Sequence, residues 1–298
     1  MKKLNYFAVL MLTITIVCTA CQKDPINGDG SMPQGAIDGL FTVNSSGDKV
    51  CFSKGNLQYN KTTKEWSFME HQYGFVENQA QYVGEDYANQ DIVSLFCWAT
   101  SGYDHGANYY QPWSTTMVSN GYYAYGSSSN NLYDQTGKAD WGSNAISNGG
   151  NTANTWRTPT KEEWEHLFFN RSTPSQIRYA KACVNDVNGV ILLPDDWSSS
   201  YFALNSPNSE EAVFGSNTIT ASQWDTLEQH GAVFLPAAGF RQLTNASGVG
   251  ASGNYWSSSC GSYGLVYALH FCDNESDVAV NAYYNCYGFT VRLVCPVK

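Results

Sequence analysis

An α+β fold with short mixed sheets, two main helices and long ordered loops is what this sequence predicts, and three observations carry the prediction. Short strand-like runs bounded by turn residues recur at 49–52, 55–59, 65–68, 190–193 and 232–235. Helix signals are few: two segments have them. No tether or composition break divides residues 36–298, so these strands and helices belong to a single domain. At 43% hydrophobic content, roughly 260 residues suffice for a sizeable core.

The first helix is signalled by Thr160 followed by Glu163, a capping box, with Trp164, Leu167 and Phe168 on one face at helical spacing. Thr220 and Gln223 repeat the device for the second. There Trp224 and Leu227 form the apolar side, and Gly231 is placed to stop the helix in a left-handed conformation. Each helix is expected to pack on a sheet. Between 103 and 150 the chain is rich in Gly, Ser, Asn and Tyr with weak periodicity, and Trp113 and Trp141 punctuate it as anchors of ordered loops. Near the end, Leu265, Tyr267, Leu269 and Phe271 alternate with Val266, Ala268, His270 and Cys272, the period of a strand with one strongly buried face. Val278 and Val280 begin a second strand, 281–287 reads as a loop, and Phe289, Val291 and Leu293 alternate on a third. A three-stranded meander is the expected ending.

Residues 1–20 read as a secretory signal: Lys2 and Lys3 precede an apolar run over 6–17, too short to cross a bilayer as a helix. Cys18-Thr19-Ala20-Cys21 then resembles the lipobox at which lipoprotein signals are cut, with Cys21 as the acylated residue. Secretion without an anchor is the alternative. Residues 21–35, with Pro25, Gly28, Gly30 and Pro33, are expected to be a flexible tether. The expected location is the outer membrane, at the cell surface or facing the periplasm, with the lipid as the only membrane contact.

Loss of Lys2 and Lys3 with the signal takes the formal charge from −10 to −12. Such a surface disfavours nucleic acid and anionic lipid. Cys18 leaves with the signal and Cys21 is used for acylation, so seven of nine cysteines remain, an odd number. There is no CxxC or HxH pair and the five histidines are scattered, so no metal and no cofactor is expected.

Between 254 and 288, six Tyr, five Ser, four Asn and three Gly make 18 of 35 residues. These types dominate antibody-like binding loops, because tyrosine offers a large amphipathic contact with only two torsions to freeze, while Ser, Asn and Gly supply adaptable hydrogen bonds. No Lys or Arg falls between Arg241 and Arg292. The bland reading is a Tyr-rich loop region in a chain that has 20 tyrosines.

Six blocks span nearly the whole domain: FSKGNLQY at 52–59, WRTPT at 156–160 ahead of Glu163-Trp164, LLPDDW at 192–197, FLPAAG at 234–239, YWSS at 255–258 and GFTVRLV at 288–294. Together they resemble the secreted lipoproteins of gut Bacteroidales related to the Fibrobacter succinogenes major paralogous domain. That resemblance implies a C-type-lectin-like fold of the formylglycine-generating-enzyme type. Some such proteins are targets of diversity-generating retroelements, which rewrite a C-terminal segment at adenines while the scaffold is kept, here 254–298. By that resemblance the rewritten, ligand-binding positions are Ser262, Tyr263, His270, Cys272, Asn274, Ala279, Asn281, Tyr283, Tyr284, Asn285, Cys286 and Tyr287. All their residue types can be reached from an AAY codon by changing adenines. Cys260, Cys272 and Cys286 are then either products of that scrambling or, for the last two, a disulfide.

Other chemistry is weaker. The oxidases of the resembled fold use paired cysteines and copper, but no GNVWEW-like block is present, and near the C-terminal strands only Cys286 and Cys295 flank GFTVRLV. Gly248, Gly250 and Gly253 match GxGxxG without the strand and helix a dinucleotide site needs. Asp273, Asn274, Glu275 and Asp277 read as a solvated turn in preference to a calcium site, and most tryptophans as core anchors in preference to a sugar platform. Asp225-Thr226-Leu227 resembles a bacterial O-glycosylation motif, yet Leu227 fits helix core. The expectation is a non-catalytic binding module for a protein or glycan, with a structural or adhesive envelope component as the alternative and the oxidase a distant third.

Overall fold

Five small sheets and two short helices make up the computed structural model, which describes residues 32–75, 90–102, 110–115, 131–132, 139–262, 265–273 and 278–297. The architecture is α+β. Strands β1 (Phe41–Thr42) and β2 (Lys49–Phe52) form one sheet with the final strand of the chain, and β2 lies in its centre. Strands β3 (Leu57–Asn60), β4 (Glu65–Phe68) and β5 (Ile92–Val93) form a second, with β3 central. Helix α1 (Lys161–Glu165) continues into a π turn over His166–Asn170, closed where Arg171 N donates to His166 O at 2.7 Å.

Strands β6 (Tyr179–Val184), β7 (Val187–Leu192), β8 (Thr218–Ile219) and, after helix α2 (Ala221–Gln229), β9 (Val233–Pro236) assemble in the order β8-β6-β7-β9. A hairpin of β10 (Phe240–Gln242) and β11 (Asn245–Ser247) follows. Then come β12 (Ser252–Cys260), β13 (Leu265–Cys272) and β14 (Val278–Tyr284), an antiparallel meander, and lastly β15 (Val294–Val297) on β2. No helix of the described residues is long and apolar enough to cross a membrane.

Both capping boxes form. Thr160 accepts from Glu163 N at 3.1 Å while the Glu163 carboxylate accepts from Thr160 N at 2.8 Å, and Thr220 pairs with Gln223 in the same way. Gly231 ends α2 at φ +78°, a backbone state that an L side chain resists. Trp164, Leu167 and Phe168 are buried with Tyr255, Leu269, Phe271 and Val278, so α1 lies on the meander. Trp224 and Leu227 bury against Phe234 and Ile191, so α2 lies on the four-stranded sheet. Leu227 is core, as its helical spacing implies.

The six sequence blocks are mostly frame. Arg292 of GFTVRLV is fully buried, donates to Gln72 Oε1 at 2.6 Å and to Asn56 Oδ1 of FSKGNLQY at 3.3 Å, and is pushed down to about 10 by burial. Asn56 in turn donates to the hydroxyl of Tyr255, from YWSS, and that hydroxyl donates to Pro236 O, from FLPAAG, at 2.8 Å. Asp195 of LLPDDW receives Thr42 N, Thr42 Oγ1 and Arg171. In WRTPT, Arg157 grips Glu163 with two hydrogen bonds of 2.5 and 2.6 Å, while Thr158 donates through its N–H and hydroxyl to buried Asp140.

Four expectations need correction. The third strand of the meander is not 289–293. The meander is β12-β13-β14, and 288–293 passes alongside through isolated bridges of Gly288 to Arg241, Phe289 to Phe96 and Thr290 to Tyr255 before joining β2. Residues 281–284 are strand, not loop, because Asn281 and Tyr283 pair across with Ala268 and Val266. Strand β13 does not keep one buried face: Val266 and Ala268 enter the cluster around Trp256, and Leu269 and Phe271 the cluster around Trp164. Residues 32–35, expected in the tether, belong to the packed domain, since Lys54 N donates to Gly35 O, Pro33 is buried and Met32 packs on the core. Of the loops expected over 103–150, most lie outside the described residues, although Trp141 is fully buried and Trp113 is 38% exposed.

Candidate functional site

Directly opposed residues of an antiparallel sheet project from the same face. In the meander, Asn254 opposes His270 and His270 opposes Ala279; Trp256 opposes Ala268 and Ala268 opposes Asn281; Ser252 opposes Cys272, and Val266 opposes Tyr283. Five of the sequence candidates, His270, Cys272, Ala279, Asn281 and Tyr283, therefore share one face. Asn281 is exposed and the other four are half-buried. Across the sheet, Tyr255, Leu269, Phe271 and Val278 are sealed under α1, and Lys161 reaches the ring of Tyr267 at 4.8 Å on that reverse side.

A row of aromatic rings borders the candidate face. Tyr283 lies 6.3 Å from His270 and edge-on to Phe289 at 5.1 Å. Tyr287 stacks on Phe289 at 5.8 Å with rings 8° apart, and Phe240 meets Tyr287 edge-on at 6.0 Å. Tyr284, on the opposite face at the end of β14, is 60% exposed and 6.4 Å from Tyr287. His270 Nδ1 is 2.9 Å from Asn254 Oδ1, while Asn254 Nδ2 donates to Gly239 O at 3.1 Å. The second contact fixes the amide, so His270 Nδ1 donates to Asn254 Oδ1.

Sequence reasoning missed what holds this row. Arg241 is fully buried and donates to the carbonyls of Leu95, Ser114 and Leu243 and to Cys97 Sγ at 3.2 Å. Its guanidinium lies on Gly288, where any Cβ would come within 2.7 Å of it, and the two backbones exchange hydrogen bonds of 2.7 and 2.8 Å. One side chain thus ties three loops beneath the turn at 284–287, where Tyr284 is exposed and Tyr287 is half-buried against the core. Leu243 is 54% exposed at the tip of the β10-β11 hairpin. Because Arg241 and Arg292 are both interior, the two cations that bracket the tyrosine-rich segment do not surface.

Not every candidate is a surface position. Asn285 is 5% exposed, its carbonyl accepts from Trp98 N at 2.9 Å, and its Nδ2 has no partner among the described residues. It is turn interior, a correction of its assignment to the ligand-binding set. Cys286 is half-buried, its carbonyl accepts from Cys97 Sγ, and burial followed by the Cys97 sulfur pushes its thiol up, so it is a poor nucleophile. Ser262 is exposed in the β12-β13 turn, at the same end of the sheet as Tyr284. Tyr263, Asn274 and Cys21 lie outside the described residues.

A bridge between Cys272 and Cys286 is excluded. Tyr284, two residues before Cys286, faces Leu265, whereas Cys272 ends the same strand seven residues on, roughly 20 Å away at strand spacing. Disulfides span less than about 7 Å between Cα atoms. The cysteine next to Cys295 is instead Cys51, its cross-strand partner. Among the described residues no three His, Cys, Asp or Glu side chains group as metal ligands, and Asp273 is occupied in accepting from Phe214 N at 2.6 Å. Comparison with protein-family models, with characterised proteins and with solved structures gives no match.

Proposed function

We propose that the chain is a surface-displayed, lipid-anchored binding module on a C-type-lectin-like frame, and that the His270–Asn281 face with its tyrosine rim recognises a protein or glycan without catalysis. The observation that carries this reading is the shared projection of His270, Cys272, Ala279, Asn281 and Tyr283 from one sheet face beside the half-buried rings of Tyr283, Tyr287 and Phe240, which pack on buried Phe289. A rigid sheet lowers the ordering cost of binding, and aromatic rims supply the anchors that dominate binding energy. Rewriting of these positions by a retroelement belongs to the same proposal, and a reverse transcriptase with a template repeat in the flanking DNA is its direct sign.

Asn281→Arg on the face and Tyr284→Ala beside its rim, 6.4 Å from Tyr287, test the reading without opening the core, since both side chains are exposed. Against an immobilised panel of mucin and plant glycans and purified envelope proteins, wild type is expected to bind at least one member. Each variant should weaken that binding about tenfold, or 1.4 kcal/mol, at unchanged melting temperature. Binding left intact by both changes would move the site elsewhere. Self-association lost in the Tyr284 variant, with no panel member bound, would favour the structural or adhesive reading.

A further inference from the structure

Sequence spacing suggests no partner for Cys51, yet the fold supplies one. Cys51 in β2 stands directly opposite Cys295 in β15, two positions along the ladder from the Ser53 N–H that donates to Leu293 O at 2.9 Å. That phase makes Cys51 and Cys295 a hydrogen-bonded pair and leaves Pro296 at a position where no N–H is required. Hydrogen-bonded pairs hold their Cα atoms about 5.5 Å apart, inside the range that a disulfide spans. Both side chains are fully buried in the same cluster, among Leu57, Trp156, Val291 and Leu293. The Cys51 thiol donates only weakly, to Cys295 O at 3.6 Å. It also adjoins the Cys295 thiol, and that neighbour first, then burial, pushes Cys295 up.

We propose that Cys51 and Cys295 form a cross-strand disulfide, made as the chain folds by exchange with a small-molecule or protein disulfide. The Cys51 thiolate attacks the oxidant, expels one oxidant thiol and leaves a mixed disulfide. Cys295, deprotonated, then displaces the second oxidant thiol as the Cys51–Cys295 bond closes. The protein loses two protons and two electrons, and the oxidant's S–S bond becomes two thiols. The exchange belongs to the folding chain because it needs thiolates, which the closed core disfavours. The bond joins residues 244 apart in sequence and fixes the end of GFTVRLV, whose Val291 and Leu293 lie beneath Trp256 of the binding sheet. In the cell it rests on the export reading, because an oxidising compartment must supply the oxidant.

Reduced, unfolded full-length chain is refolded in glutathione and glutathione disulfide, unfolded without reductant, alkylated and digested. A peptide pair joined through Cys51 and Cys295 is the expected product, and reductant should lower the melting temperature of wild type by several degrees while leaving Cys295→Ser unchanged. If refolding from the fully unfolded state fails, chain purified folded and held with glutathione disulfide in urea sufficient to open the core gives the same readout. Recovery of Cys51 and Cys295 both alkylated after refolding and unfolding without reductant, or linkage of either to another cysteine, overturns the proposal. Because this assay needs no export, its failure is separable from failure of the surface-display reading.

Discussion

At the scale of single residues, Asp140 shows how a buried carboxylate can be held by the backbone. It accepts from Gly142 N at 2.9 Å and from Thr158 N and Oγ1 at 3.0 Å, capping the turn Trp141–Ser143. Burial nevertheless outweighs these bonds and raises its proton affinity above that of an ordinary carboxylate. A carboxyl that holds its proton more tightly folded than unfolded adds stability below its unfolded pKa and loses it as pH rises through the folded value. Compared with Asp140→Asn, which does not titrate, wild type should therefore lose ground as pH rises from about 4, the unfolded value, toward neutrality. Urea midpoints for both proteins across that range check this, and a gap that moves toward wild type would mean that the hydrogen bonds outweigh burial. Thr160 was legible in sequence because its partner Glu163 is three residues away. Arg241 was not, because it acts through carbonyls at 95, 114 and 243 whose approach no local pattern announces.

At the scale of elements, β13 is the informative case. Its alternating sequence is compatible with either face being buried, and strict alternation would make only one of Val266 and Leu269 a core residue. In the fold the strand crosses between two clusters, so that Val266 packs near Trp256 while Leu269 packs near Trp164. Val266→Ala and Leu269→Ala should both destabilise, by about 1.5–3 and about 2–5 kcal/mol. Tyr284→Ala, at the exposed end of β14, should cost less than about 1 kcal/mol. Chemical unfolding of the three variants decides it, and a tolerant Val266 or Leu269 would restore a one-faced strand. The same ambiguity explains the reading of 281–284 as loop. Asn281 and two adjacent tyrosines look irregular until Ala268 and Val266 are seen opposite them, and an edge strand with one open side accepts polar residues.

For the whole molecule, the α+β class followed from local signals, whereas the sheet partners did not. Pairing of β2 with β15, and the contacts of Arg292 with Asn56 and Gln72, join residues more than two hundred positions apart, and alternation carries no address for a partner. Charge is a property at this scale that sequence states directly. On the proposed reading the domain carries a formal charge of −12 after loss of the signal and is repelled by anionic lipid, and exposed charges are screened beyond about 8 Å at physiological salt. On the proposed reading, then, only the lipid on Cys21 holds it to the membrane. Cys21→Ser should move the protein from the membrane pellet to the soluble fraction of fractionated cells, while a wash with about 1 M salt should leave wild type in the pellet, because acyl burial is not screened. A Cys21→Ser protein that still sediments with membranes, or a wild type released by salt, would mean that protein contacts and not an acyl chain provide the attachment.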